Sequence, residues 1–184
     1  MFIIIIKKYH GFTLVELAIT LSVIAILAAI AAPSFMSIIQ NNRMTTQYNE
    51  LLAHLSFARS EAITRDSPVT ICQSSSDDKD ECTEQSNNWQ AGWIVFVDLN
   101  SNYEFDSDEE TILRIHDALS GGNTLNFAGG SHITYLGTAL MDGATDGIFT
   151  LCGGHNGKQK GLVVSTTGRV RHAIAADNDD LAAC

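Results

Sequence analysis

From Phe12 to Ala32 the chain reads FTLVELAITLSVIAILAAIAA, apolar at nearly every position, with Glu16 the one charge among 21 residues. At a rise of about 1.5 Å per residue, such a run spans roughly the hydrocarbon core of a bilayer. It predicts a membrane-crossing helix. Beyond Pro33 the continuous apolar run gives way to a period. Tyr48, Leu51, Leu52, Leu55, Ala58, Ala62 and Ile63 recur at helical spacing on one face, while Arg43, Asn49, Glu50, Arg59 and Glu61 take other faces. This predicts an amphipathic continuation of the same helix, with a stripe that must be buried against a sheet. Ser67-Pro68 ends it, because the residue before a proline is pushed out of the helical region.

After Pro68 the pattern changes to short apolar runs between Gly, Asn and Asp. VTICQ, WIVFVD, TILRIH, HITYL, GIFTLCG and GLVVSTTGRVRHA read as strands, and SSSDDKDECTEQSNN as an acidic loop. Strands this short, with turn residues between them, predict an antiparallel β domain packed on the long helix.

Lys7 and Lys8 precede the apolar run and orient it, with the N-terminus cytoplasmic and the remainder outside. A secretory signal peptide is the rival reading. It fails because the run is too long and no small-residue cleavage site is followed by an abrupt change to globular sequence. Glu16 then stands out. A carboxylate near the end of a membrane helix costs a few kcal/mol unless it finds a partner, and the amino group of a neighbouring chain would supply one.

Charge changes the picture of the β domain. The net charge is −10, with 17% charged and 45% hydrophobic residues. That balance excludes a disordered chain and argues against a general nucleic-acid coat protein. Yet from Gly147 to Ala176 there is no Asp or Glu, and the window holds Lys158, Lys160, Arg169 and Arg171 beside His155 and His172. If residues 169 to 171 are extended, both arginines lie on one face with Val170 on the other. Gly168 permits a tight turn before them. Two guanidinium forks on one face suit phosphate oxygens, bidentate and independent of sequence. The alternatives are a solvated edge strand, or ion pairs with acidic loops of this or a neighbouring subunit.

Other chemistry is sparse. Asp98, Asn100, Asn102, Glu104, Asp106 and Glu109 fall at the ligand positions of a calcium loop. However, Tyr103 stands where an EF-hand needs glycine, and the flanks read as strands. A solvated acidic hairpin loop is the competing reading. The histidines are scattered, the glycine pairs are turn residues rather than a phosphate-binding loop, and no nucleophile has a partner at catalytic spacing, so neither an enzyme nor a cofactor is expected. Of the four cysteines, spacing favours Cys72–Cys82 closing a short loop and Cys152–Cys184 pinning the C-terminus. A zinc knuckle would need closer pairs.

The stretch KKYHGFTLVELAITLSVIAILAAIAAPSF resembles the class III signal of type IV pilins and type II secretion pseudopilins. ARSEAITRDSPVTIC, WIVFVDLNSN and LVVSTTGRVR, in that order, resemble the GspH/FimT subgroup of minor pilins and pseudopilins. The resemblance implies an α+β, type IV pilin-like fold. It also implies a leader of residues 1–11 cut between Gly11 and Phe12 by a prepilin peptidase, with N-methylation of Phe12. Residues 12–33 would then cross the inner membrane, 34–66 continue the helix, and 67–184 form the β-rich domain. Glu16 would pair with the terminal amine of an adjacent subunit, and Pro33 lies where such helices kink. The implied partners are other major and minor pilins. Gly168-Arg169-Val170-Arg171 matches a Gly-Arg-x-Arg motif associated with binding of incoming double-stranded DNA in natural transformation. Similar arginines also occur in secretion pseudopilins, where the role would be purely structural.

Overall fold

The computed structural model describes residues 11–75, 81–83, 87–143, 146–154, 157–174 and 181–184. Lys7, Lys8, His10 and His155 lie outside the described residues, as do parts of the loop between Cys72 and Trp89 and of the acidic tail. The chain forms two compact units, Met1–Ile39 and Gln40–Cys184, and each is described by itself. The elements are α1 (Leu14–Arg65), then β1 (Val69–Gln73), β2 (Trp93–Val97), β3 (Thr111–His116), β4 (Thr124–Phe127), β5 (His132–Tyr135), β6 (Gly147–Cys152), β7 (Gln159–Val164) and β8 (Val170–His172).

In the first unit, α1 begins with a capping box. The Thr13 amide and hydroxyl donate to Glu16 Oε2 at 2.9 and 2.7 Å, and the Glu16 amide donates to Thr13 Oγ1 at 3.2 Å. Two otherwise orphaned amides at the helix start are thereby satisfied. The helix continues through Pro33, and its large apolar residues from Leu14 to Ile39 are exposed. It is long and apolar enough to cross a membrane. Thr20 and Ser22 donate their hydroxyls to Leu17 and Ala18 carbonyls within the helix, as a lipid environment requires of polar groups.

In the second unit, α1 buries Met44, Tyr48, Leu51, Leu55, Ala58 and Ala62. The steps of four and three keep this stripe on one face. Ile63 does not belong to it. Each residue turns the helix by about 100°, and Ile63, next to buried Ala62, is carried out into solvent at 51% exposure. Asp66 ends the helix in a left-handed conformation at φ 50°, and the Ser67 amide returns to the Ala62 carbonyl.

All strand pairs are antiparallel, and they form two four-stranded sheets rather than one, ordered β3-β2-β1-β5 and β4-β6-β7-β8. One core joins the helix stripe to both, through Val69, Ile71, Trp93 and Ile133 of the first sheet and Leu125, Phe149, Leu162 and Val164 of the second. The strand β2 is buried along its whole length, including the face turned away from this core. Ile94 and Phe96 on that face pack with Cys72, under Cys82, Phe105 and Ile112. Strand β4 and Trp89, in a short 3-10 turn at Trp89–Ala91, are absent from the sequence reading. Trp89 is fully buried against Phe149, with ring centroids 4.9 Å apart. A second difference is that GLVVSTTGRVRHA is two strands, β7 and β8, joined by a hairpin.

Magnitudes decide what holds α1 in place. Its surface pair Glu61–Arg65, at 2.7 Å, is worth about 0.3–0.5 kcal/mol. Truncating a buried leucine such as Leu55 costs about 2–5 kcal/mol, so the apolar stripe dominates. Disulfides Cys72–Cys82 and Cys152–Cys184 close loops with sequence separations of 10 and 32. Chain entropy makes the longer loop the more stabilising, at about 3–4 kcal/mol against about 3. Replacing Cys152 and Cys184 together by Ala should therefore lower Tm more than replacing Cys72 and Cys82, as thermal melts would show.

Polar contacts fix the helix laterally. Trp93 Nε1 donates to His54 Nδ1 at 2.8 Å, and Trp93 stacks on His116 with centroids 3.8 Å apart. His116 Nε2 lies 3.2 Å from Glu50 Oε2. Burial, then the nearby His116 and Arg114, push the His54 pKa down from 6.5 to about 4, against the opposing pull of Glu50. His54 is thus neutral in the fold while the unfolded chain takes up a proton near pH 6.5. Its contribution to stability is complete above pH 6.5 and is lost as pH falls toward 4. A His54→Gln variant, which can still accept from Trp93, should lose less Tm than the wild type between pH 6.5 and 4. Parallel slopes for the two in that window would contradict this role.

Candidate nucleic-acid interface

The hairpin between β7 and β8 is built by a three-residue turn. The Gly168 amide donates to the Ser165 carbonyl at 2.8 Å, and the Ser165 amide to the Arg169 carbonyl at 2.9 Å. Gly168 adopts φ +71° and is buried, the left-handed position such a hairpin requires. A Cβ there would lie 2.5 Å from the Ala139 carbonyl oxygen, so glycine is demanded by space as well as by conformation. Beyond the turn, Arg169 and Arg171 are exposed and Val170 between them packs on the core. Arg171 stands opposite Val163 and His172 opposite Leu162. Because Leu162 and Val164 belong to the core, alternation puts Arg171 on the outer face of the sheet.

Lys158 and Lys160 do not join the arginines. Lys160 shares the face of Leu162, and its Nζ donates to Thr45 Oγ1 on α1 at 2.9 Å. The Lys158 ammonium reaches Asn41 Oδ1 at 3.1 Å. Both lysines turn toward the helix, on the opposite side of the sheet from Arg171. The basic window is contiguous in sequence and divided in space.

Arg59 has a part in this site that its sequence position does not disclose. From α1 its Nε donates to the Ala139 carbonyl at 3.2 Å and its Nη2 to the Thr167 carbonyl at 3.4 Å. It ties the hairpin turn to the loop after β5. Asp146 adds a second tie, accepting the Thr166 amide at 2.6 Å. No local pattern marks either residue, because both act across long sequence separations.

The acidic loop after β2 does not gather its ligands. Asp98 is buried and accepts from Thr70 Oγ1 at 2.7 Å and from the amides of Asn102 and Tyr103, each at 3.2 Å. Buried Glu110, outside the predicted ligand set, accepts the amides of Leu99 and Asp106. Asn100 and Asn102 cap backbone amides two residues on, and Asp106 and Glu109 are exposed. Asp98, Asn100, Asn102, Asp106 and Glu110 all accept amides of the loop's own backbone. No group of three or more acidic, His or Cys side chains able to hold a metal occurs among the described residues. At the N-terminal end, Gly11 and Phe12 are exposed just ahead of the Thr13–Glu16 box.

The family model of the type II transport protein GspH matches residues 47–168, and that of the prokaryotic N-terminal methylation motif matches residues 6–32. No curated protein sequence matches the chain. Among solved structures, the type IV minor pilin FimU of Pseudomonas aeruginosa is similar at TM-score 0.57 and 23% identity, over 74% of this chain and 92% of that one. A second crystal form of FimU gives 0.54 at 23% identity, over 72% and 94%. The minor pseudopilin EpsH from the type 2 secretion system of Vibrio cholerae gives 0.49 at 12% identity, over 71% and 96%.

Gly168→Ala should destabilise by about 1–3 kcal/mol, the cost of a strained backbone position. Arg59→Gln removes two hydrogen bonds that tie the turn and should lower its local stability by about 1 kcal/mol. It should also accelerate amide exchange at Gly168 while leaving the β6–β7 amides protected. Uniform acceleration across the sheet would contradict a local role for Arg59.

Proposed function

The chain belongs to the GspH family, and from that premise we propose that it is a minor pilin of a type IV pilus that binds double-stranded DNA through its phosphate backbone during natural transformation. The observation that carries this reading is the exposed pair Arg169 and Arg171, with Val170 anchored in the core between them. The anchor fixes the backbone from which both arginines project, with Arg171 Nη1 donating to the His172 carbonyl at 3.3 Å, and guanidinium forks match phosphate oxygens bidentately. Contacts to phosphate position a protein on DNA without reading bases. Two contacts per subunit give salt-sensitive binding, so several copies, or other pilins, would supply avidity.

The assembly steps belong to the same proposal. A prepilin peptidase would cut residues 1–11 away after Gly11, and Phe12 would be methylated. Residues 12–33 would hold the subunit in the inner membrane with the domain from residue 67 in the periplasm, and residues 34–66 would link the two. Glu16 now accepts from Thr13. In a fibre it would exchange that cap for the Phe12 amine of an adjacent subunit, a partner of opposite charge in a medium where an unpaired carboxylate is costly.

A second reading is favoured by the family description itself, which is that of a type II transport protein. In that case the subunit would be a structural part of a secretion pseudopilus, and its arginines would face a protein partner.

Titration of unrelated duplexes with the full chain in neutral detergent separates the two. The wild type should bind all of them and weaken with salt. The double variant Arg169→Gln, Arg171→Gln should bind less tightly, with a salt slope smaller by about two. No binding by the wild type at 50 mM salt would overturn the DNA reading and leave the secretion one.

A further inference from the structure

Lys160, set aside by the arginine interface, lines a groove of its own. It runs between α1 and the β7–β8 edge, and Thr45, Tyr48, Asn49, Gln159, Lys160 and His172 contribute to it. Tyr48 Oη lies 2.6 Å from His172 Nδ1, and the two rings stack with centroids 5.3 Å apart. The Tyr48 hydroxyl donates to the Gly161 carbonyl at 3.0 Å and therefore accepts from His172 Nδ1–H, which fixes the imidazole. Burial pushes the Tyr48 hydroxyl up to about 12, so the phenol brings no negative charge. The Lys160 ammonium lies 5.5 Å from the Tyr48 ring centroid and 2.9 Å from Thr45 Oγ1. Among the described residues that line the groove there is no Asp or Glu, although the chain is acidic overall.

One ammonium and two side-chain amides, with no carboxylate among the described lining residues, leave donors suited to an anion. Phosphate and carboxylate share that chemistry. Position decides between them. The groove borders the helix-facing side of β8, a strand of three residues whose other side carries Arg171. We propose that this groove is a second phosphate subsite, so that one nucleic-acid backbone straddles the β8 edge between Arg169 and Arg171 on one side and Lys160 on the other. The proposal rests on the DNA reading above.

The test uses the full chain in neutral detergent, one fluorescent duplex, and salt from 50 to 200 mM. Lys160→Gln should lower the salt slope by about one, Lys160→Arg should restore it, and the double arginine variant combined with Lys160→Gln should lower it by about three. If Lys160→Gln keeps the wild-type slope while the double arginine variant alone loses about two, the groove is no phosphate subsite and the DNA reading stands. If the wild type binds no duplex, the DNA reading fails and the groove proposal with it. Polyglutamate binding that depends on Lys160 would then assign the groove to a carboxylate-bearing protein partner, which also overturns the phosphate assignment.

Discussion

Both sheets meet the same stripe of α1, and everything else is arranged around that contact. Met44, Tyr48, Leu51, Leu55, Ala58 and Ala62 contribute to one core shared with strands of each sheet. Tyr48 and Leu51 lie beside Phe149, Leu151 and Leu162 of β6 and β7. The polar ties then act as registers on an interaction already made. Asn123 donates to Gln47 at 2.6 Å, Trp93 to His54 and Tyr48 to the Gly161 carbonyl at 3.0 Å. Each would be worth about 1 kcal/mol by itself, and each is well placed because the apolar contact excludes water around it.

The charge distribution follows a comparable logic. Asp98 and Glu110 are buried, yet their oxygens receive hydroxyl and amide hydrogens, which is what makes a buried carboxylate tolerable. They organise the acidic loop from within. The cations are divided by the alternation of a single hairpin, the arginines outward and the lysines toward the helix. A chain of net charge −10 can keep a basic edge because its acids are concentrated in other loops.

Much of this was legible beforehand, and the rest has identifiable physical reasons for being hidden. The helix and its stripe could be read because periods of three and four leave a strong mark; Ile63 was misplaced because it lies one residue beyond a true stripe position. WIVFV and TILRIH declared themselves by apolar content. TLNF did not, since a four-residue edge strand offers little pattern. Trp89 was passed over because it stands in a polar stretch, SNNWQAG, and is buried by contacts distant in sequence. The turn glycine and both arginines of the candidate site were visible as a motif. Their separation from Lys158 and Lys160 was not, because composition counts charges along the chain and only strand register assigns them to faces. Arg59, Asp146 and Glu110 serve partners far off or in backbone atoms, and neither leaves a local signature. The spacing of the acidic loop left two readings open for a physical reason: carboxylates and amides at metal-ligand intervals serve equally well as caps for the amides of a tight loop.

The last strand of the second sheet has one more consequence. A strand at a sheet's margin offers amide and carbonyl groups to any extended chain that comes near, and such edges seed unwanted pairing between molecules. The strand β8 is three residues long and carries two exposed side chains, Arg171 and His172, with Arg169 exposed just before it. A second copy arriving edge to edge would bring like charges together on a very short ladder. A second copy is thereby discouraged from fusing its sheet with this one.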